Sequence, residues 1–110
     1  MEVQIKSQDD AAAVISVSGD VDLYSSPEVR KAIAALSKKK VPLIVVDLAG
    51  VEYMDSSGVA TLVEGLRLTG AYNGEFRIAS LKPSVREVFE LSRLDQVFAI
   101  FDSCDQALES

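Results

Sequence analysis

The sequence predicts an α/β fold: a mixed five-stranded sheet with about four helices, opening with a β-hairpin and continuing by strand–helix alternation. Three observations carry that expectation. Two short apolar runs flank a turn-forming pair, Asp9-Asp10, near the start. Leu43-Ile44-Val45-Val46 is an unbroken apolar run, the composition of a central strand covered on both faces. Beyond residue 25, helical and extended apolar patterns take turns, which implies a largely parallel sheet with right-handed crossovers. A length of 110 residues fits one domain spanning 1–110.

Val3 and Ile5 alternate with polar residues in the first strand, and Val14, Ile15 and Val17 mark the second. Gly19 breaks that run, and Asp20-Val21-Asp22 leads to a helix start. Ser26 is the expected cap there, and Pro27 the expected first helical residue, where a missing N–H costs nothing. Val29, Ala32, Ile33 and Leu36 give this helix one apolar face. Lys38-Lys39-Lys40 suits a solvated helix C-terminus. The strand Leu43 to Leu48 follows, then Gly50, a short acidic turn and Asp55-Ser56-Ser57-Gly58. Val59, Leu62, Val63 and Leu66 make a second amphipathic helix that closes near Gly70. Asn73-Gly74 signals a turn, and Phe76, Ile78 and Ala79 a fourth strand. Pro83 opens a third helix with Val85, Val88 and Phe89, ending around Leu91 to Leu94. Val97 to Phe101 reads as the fifth strand. Ser103 and Gln106, three apart, read as a capping box for a short last helix.

Composition narrows the function. Hydrophobic residues make up 48% of the chain, enough for a core that needs neither metal nor disulfide. Seventeen acidic residues against eleven basic ones leave a net charge of −6, which disfavours nucleic acid as a partner. Cys104 is the only cysteine, so no intrachain disulfide can form; it reads as a buried structural thiol in a reducing compartment. The N-terminus has no basic segment followed by an apolar one, and no apolar run approaches the roughly 18 residues of a membrane span. A cytoplasmic location without membrane insertion is expected. With no histidine, Ser-His-Asp and Cys-His arrangements and His-ligated metals are excluded. Neither a Gly-x-x-x-x-Gly-Lys loop nor a Gly-x-Gly-x-x-Gly fingerprint occurs. A binding module that needs no cofactor is expected, rather than an enzyme.

In open α/β sheets the binding surface lies beyond the carboxyl ends of the strands. Asp20-Val21-Asp22 and Asp55-Ser56-Ser57-Gly58 should both fall at that edge. Helix N–H groups need partners, so one of Asp55, Ser56 and Ser57 must cap. Ser57 is the expected cap and Ser56 the expected exposed hydroxyl. A helix N-terminus also tolerates a phosphoserine, and spacing alone leaves a plain cap and a phosphorylation site both open.

The string Val51-Glu52-Tyr53-Met54-Asp55-Ser56-Ser57-Gly58-Val59-Ala60, following its strand, resembles the signature of STAS domains. Sulfate transporters and bacterial anti-sigma-factor antagonists share these domains. The turn Gly19-Asp20-Val21-Asp22 is similar to the family's Gly-x-x-Asp segment, and the resemblance covers nearly the whole chain. It implies that Ser56 is the residue a partner kinase phosphorylates, with Asp22, Asp55, Ser57 and Gly58 shaping the docking surface. The implied partners are an ATP-dependent anti-sigma-factor serine kinase, bound while Ser56 is unmodified, and a serine phosphatase that restores it. Family antagonists often carry Gly-Leu-Gly after the serines, where Gly58-Val59-Ala60 stands here. A fixed subunit of a lipid-type ABC transporter is the alternative on the same fold. A phosphoacceptor receiver domain fails, because a strand-like run rather than a helix follows Asp9-Asp10.

Overall fold

The computed structural model describes residues 1–110, and its hairpin shows how local chemistry starts the sheet. Asp9 Oδ1 accepts the N–H groups of Ala11 and Ala12, each at 2.8 Å, which turns the chain back on itself. Those bonds hold the Asp9 carboxyl below its ordinary pKa. Strand β1 (Glu2–Gln8) thereby pairs antiparallel with β2 (Ala12–Ser18), with a bulge between Ile5 and Ser7. The remaining strands, β3 (Leu43–Gly50), β4 (Glu75–Ala79) and β5 (Ala99–Phe101), add in parallel, in the order β1-β2-β3-β4-β5. The expected mixed five-stranded sheet is present, with β3 at its centre.

Helices α1 (Ser26–Lys38), α2 (Ser56–Gly70) and α3 (Pro83–Leu91) connect successive parallel neighbours, and α4 (Cys104–Glu109) ends the chain. Crossovers of one hand between adjacent strands place all their helices on one face of the sheet. Strand alternation then sorts the side chains. Ile15, Val46, Ile78 and Ile100 stand in one row across the register. With Ala13, Val17, Ile44, Leu48 and Phe76 they meet Val29, Ile33 and Leu36 of α1, Leu62 of α2, and Val85 and Phe89 of α3. The other face holds a small cluster, Val14, Val45 and Ala79, covered by Ala107 of α4. Val45 is therefore buried on the side away from the three connecting helices, so β3 is covered on both faces as its composition requires.

Cys104 packs against that smaller cluster and is only half-buried. Burial, and then the Asp47 carboxylate beside it, push its thiol up to about 11, so it stays protonated. Lys38, Lys39 and Lys40 are all exposed at the end of α1.

Local details differ from expectation in three places. Helix α1 begins one residue early: Ser26 is its buried first residue and does not cap, and Pro27 comes second. Strand β5 is shorter than Val97 to Phe101, because a 3-10 turn at Leu94–Gln96 carries on into a Phe98 N–H bond to the Leu94 carbonyl (3.0 Å). That turn drives the Phe98 ring into the core, edge-on to Phe89 at 5.6 Å, and packing overrides strand propensity. At α4, Ser103 Oγ accepts the Gln106 N–H at 3.2 Å as a cap should. The return bond, however, reaches Gln106 Oε1 from Asp102, one residue before the expected donor.

Candidate functional site

Beyond the carboxyl ends of β2 and β3, two loops are stitched by backbone hydrogen bonds. Gly19 donates to the Gly50 carbonyl at 2.9 Å, Val21 to Tyr53 at 3.0 Å, and Asp55 to Val21 at 3.1 Å. Val21 and Met54 thus form an isolated parallel bridge that extends the sheet past its regular strands. Val21, Val51 and Met54 are buried, so the bridge is anchored from below and its intervening polar residues come to the surface. The two segments singled out in the sequence, Asp20-Val21-Asp22 and Asp55-Ser56-Ser57-Gly58, are brought together here.

Asp22 frames the first loop. Its Oδ1 accepts the N–H groups of Ser25 and Tyr24, both at 3.0 Å, and these bonds keep its carboxyl below the ordinary range, Ser25 contributing most. Ser25 Oγ accepts the Asp22 N–H at 2.9 Å and donates to the Asp20 carbonyl at 2.8 Å. The Ser25 hydroxyl therefore closes the loop and makes no cap bond to α1. The same turn leaves Leu23 and Tyr24 projecting, 65% and 89% exposed.

Asp55 ends the second loop and caps α2. Its backbone is extended (φ −97°, ψ −173°), and its Oδ1 accepts the N–H groups of Ser57 at 2.9 Å and Gly58 at 3.2 Å. This corrects the expectation that Ser57 caps. The carboxylate one residue before the helix reaches both donors, while Ser57 already lies within the first turn. Ser56, the first residue of the 15-residue helix, is exposed and Ser57 half-buried; neither hydroxyl takes a hydrogen bond within the chain.

Gly58 sits beneath this surface, buried against the bridge. A Cβ there would lie 2.6 Å from Met54 Cγ, 2.9 Å from Val21 Cγ1 and 3.1 Å from the Val21 carbonyl oxygen. Only glycine lets the first turn of α2 settle so close to the Val21–Met54 bridge. Helix α3 is tied to the same edge: Ser84 Oγ donates to the Glu52 carbonyl at 2.8 Å, and Lys82 Nζ lies 3.2 Å from Glu52 Oε1.

Sequence reasoning missed the apolar part of this edge. Leu23, Tyr24 and Tyr53, the last 54% exposed, project from the same two loops as the polar residues. Their signal was available: each is a large apolar residue lying outside any helical or strand period. Together, a free hydroxyl at a helix start, acidic groups around it and projecting apolar side chains suit contact with a protein surface.

A family model described as the STAS domain matches residues 2–107. The anti-sigma-B factor antagonist of Listeria monocytogenes is 27% identical over 100 residues, covering 91% of this chain and 88% of that protein. The crystal structure of an anti-sigma factor antagonist from Mycobacterium paratuberculosis matches with a TM-score of 0.87 at 30% identity, over 97% of this chain and 90% of that one. The Bacillus cell fate determinant SpoIIAA in its phosphorylated form shares the fold, with a TM-score of 0.77 at 23% identity over 98% and 97% of the two chains. With the family model spanning all five strands and the serine-bearing turn between β3 and α2, the chain belongs to the STAS domain family.

Proposed function

We propose that this chain is an anti-sigma-factor antagonist, a cytoplasmic regulatory binding protein controlled by phosphorylation of Ser56. The observation that carries the proposal is the state of that hydroxyl. It is exposed, free of intrachain bonds, and mounted on a turn whose own capping is complete without it. Modifying it removes no interaction that the fold needs. The similar proteins from Listeria and Mycobacterium, named as antagonists of this type, supply the partner class.

In this reading the unmodified protein binds an ATP-dependent anti-sigma-factor serine kinase and so releases the sigma factor. Asp22, Asp55 and Ser57 shape the docking surface around Ser56, and Gly58 supports it from beneath. The chain itself is the substrate, and the kinase supplies the nucleotide. A serine that accepts a phosphoryl group must face the terminal phosphate of that nucleotide. Once phosphorylated, Ser56 carries about −1.5 to −2 charge against the remaining nucleotide phosphates, and like-charge repulsion weakens the complex. The Asp55 carboxylate adds to the repulsion, whereas the α2 N-terminus offsets part of it, by ~0.3–1 kcal/mol, without unfolding the turn. A serine phosphatase then restores the binding form.

The test is incubation with ATP and the serine-kinase anti-sigma factor of the same genome, followed by intact-mass and peptide mapping. One phosphate on Ser56, and none on Ser56→Ala, is expected. Phosphate on Ser57, or no phosphate at all, would overturn the reading.

A further inference from the structure

We propose that the groove between the Val51 to Asp55 loop and α3 is the second half of the docking surface. It would take an apolar side chain flanked by lysine or arginine on the kinase that acts on Ser56, and so rests on the reading of Ser56 above. The groove encloses about 290 Å³. Met54 and Val88 form its floor, Tyr53 and Leu91 its walls, and Glu52 and Glu87 its rim. Leu91 is 79% exposed, although α3 already commits Val85 and Phe89 to the core. Folding does not account for it, and a large apolar residue projecting beside a second one, Tyr53, marks a contact site.

One end of the groove is tied across before any partner arrives: Ser84 and Lys82, at the start of α3, hold Glu52 through the two bonds described above. Its charge selects the occupant. Lys82 balances Glu52, but Glu87 and Glu90, three apart on α3, are exposed and without an ion pair. The neighbouring loops add Asp20, Asp22 and Asp55. A basic rim on the partner complements this edge, whereas a second copy of the chain would set acidic rim against acidic rim. Continuity with Ser56 is built in, because Tyr53 and Met54 belong both to the groove and to the segment leading into α2. Phosphate repulsion acts at Ser56 itself, so a basic contact on α3 and a phosphorylation switch are compatible.

The experiment is calorimetric and kinetic titration of the full unphosphorylated chain against the serine-kinase anti-sigma factor of its genome. The variants are Leu91→Ser and Glu87→Lys, both at exposed positions, with melting curves as controls. Leu91→Ser should weaken binding about tenfold or more at unchanged melting temperature. Glu87→Lys should slow association, with a deficit that shrinks as salt is raised. If parent and Ser56→Ala both fail to bind the kinase, the reading of Ser56 falls and the groove proposal falls with it. If the parent binds and Leu91→Ser binds equally well, the groove proposal alone is overturned. Sedimentation showing a dimer that Leu91→Ser dissolves would overturn it in favour of self-association.

Discussion

Replacing Asp55 by alanine removes one oxygen that serves two donors. The N–H groups of Ser57 and Gly58 lose their acceptor together, and these are two of the four amides that a helix start leaves unpaired. The cap lies at a part-exposed site, so water replaces some of what is lost. The expected cost is about 1 kcal/mol, within the roughly 0.5–2 kcal/mol span of such caps. Asp55→Asn keeps an acceptor oxygen and removes only the charge at the N-terminus of α2. It should cost ~0.3–1 kcal/mol at low salt and less as salt is added. Ser57→Ala deletes a hydroxyl without an intrachain bond and should stay within about 0.5 kcal/mol of the parent. Urea unfolding separates the three: with slopes of about 1–3 kcal/mol/M, the alanine cap variant should shift the midpoint by roughly 0.3–1 M at unchanged slope. Equal midpoint shifts in Asp55→Ala and Ser57→Ala would refute the assignment of the cap.

Three further outcomes follow from the same geometry. Gly58→Ala must push on Met54, Val21 and a backbone carbonyl, so overpacking of about 1–3 kcal/mol should outweigh the helix-propensity gain of roughly 0.5–1 kcal/mol, and the melting temperature should fall. Gly58→Ala melting at or above the parent would disprove that close approach. The Cys104 thiol, raised in the folded chain to about 11, should resist alkylation at neutral pH until the protein unfolds. Because the folded value lies above the unfolded one, its contribution to stability is present below the unfolded pKa and is lost as pH rises through about 11. A pH–stability profile of Cys104→Ala that falls as steeply as the parent's over that window would count against this. Ser56→Glu and Ser56→Ala should both melt within about 0.5 kcal/mol of the parent, since neither removes an intrachain bond. A several-degree loss in either would show that the hydroxyl is structural.

Much of this architecture was legible from local pattern. Apolar patterns marked the strands and the first three helices, a capping pair marked α4, and the unbroken run at Leu43 to Val46 placed β3 in the middle of the sheet. Asp20-Val21-Asp22 and Asp55-Ser56-Ser57-Gly58 were expected at one edge because parallel strands share a carboxyl end. The details that escaped are those where neighbours compete. Several hydroxyls and carboxylates stood within reach of each helix start; Asp55 caps α2, whereas at α1 the Ser25 hydroxyl is engaged with Asp22 and Asp20 and no side chain caps the helix. Val97 and Phe98 have strand propensity, yet a turn and the Phe89 ring claimed Phe98 for the core.

The sequence by itself determined the alternation of elements, the absence of histidine chemistry, the acidic balance and the serine at the start of α2. Each is a property of composition or of spacing along a few residues, which no distant contact can change. Only the tertiary structure decided that Val21 and Met54, thirty-three positions apart, bridge the two loops. It alone decided that Gly58 must be small, that Asp55 rather than Ser57 caps α2, and that Leu91 meets Tyr53 across a groove. These depend on backbone hydrogen bonds and steric contacts between segments remote in the chain. Such contacts exist only once the sheet has brought its carboxyl ends side by side.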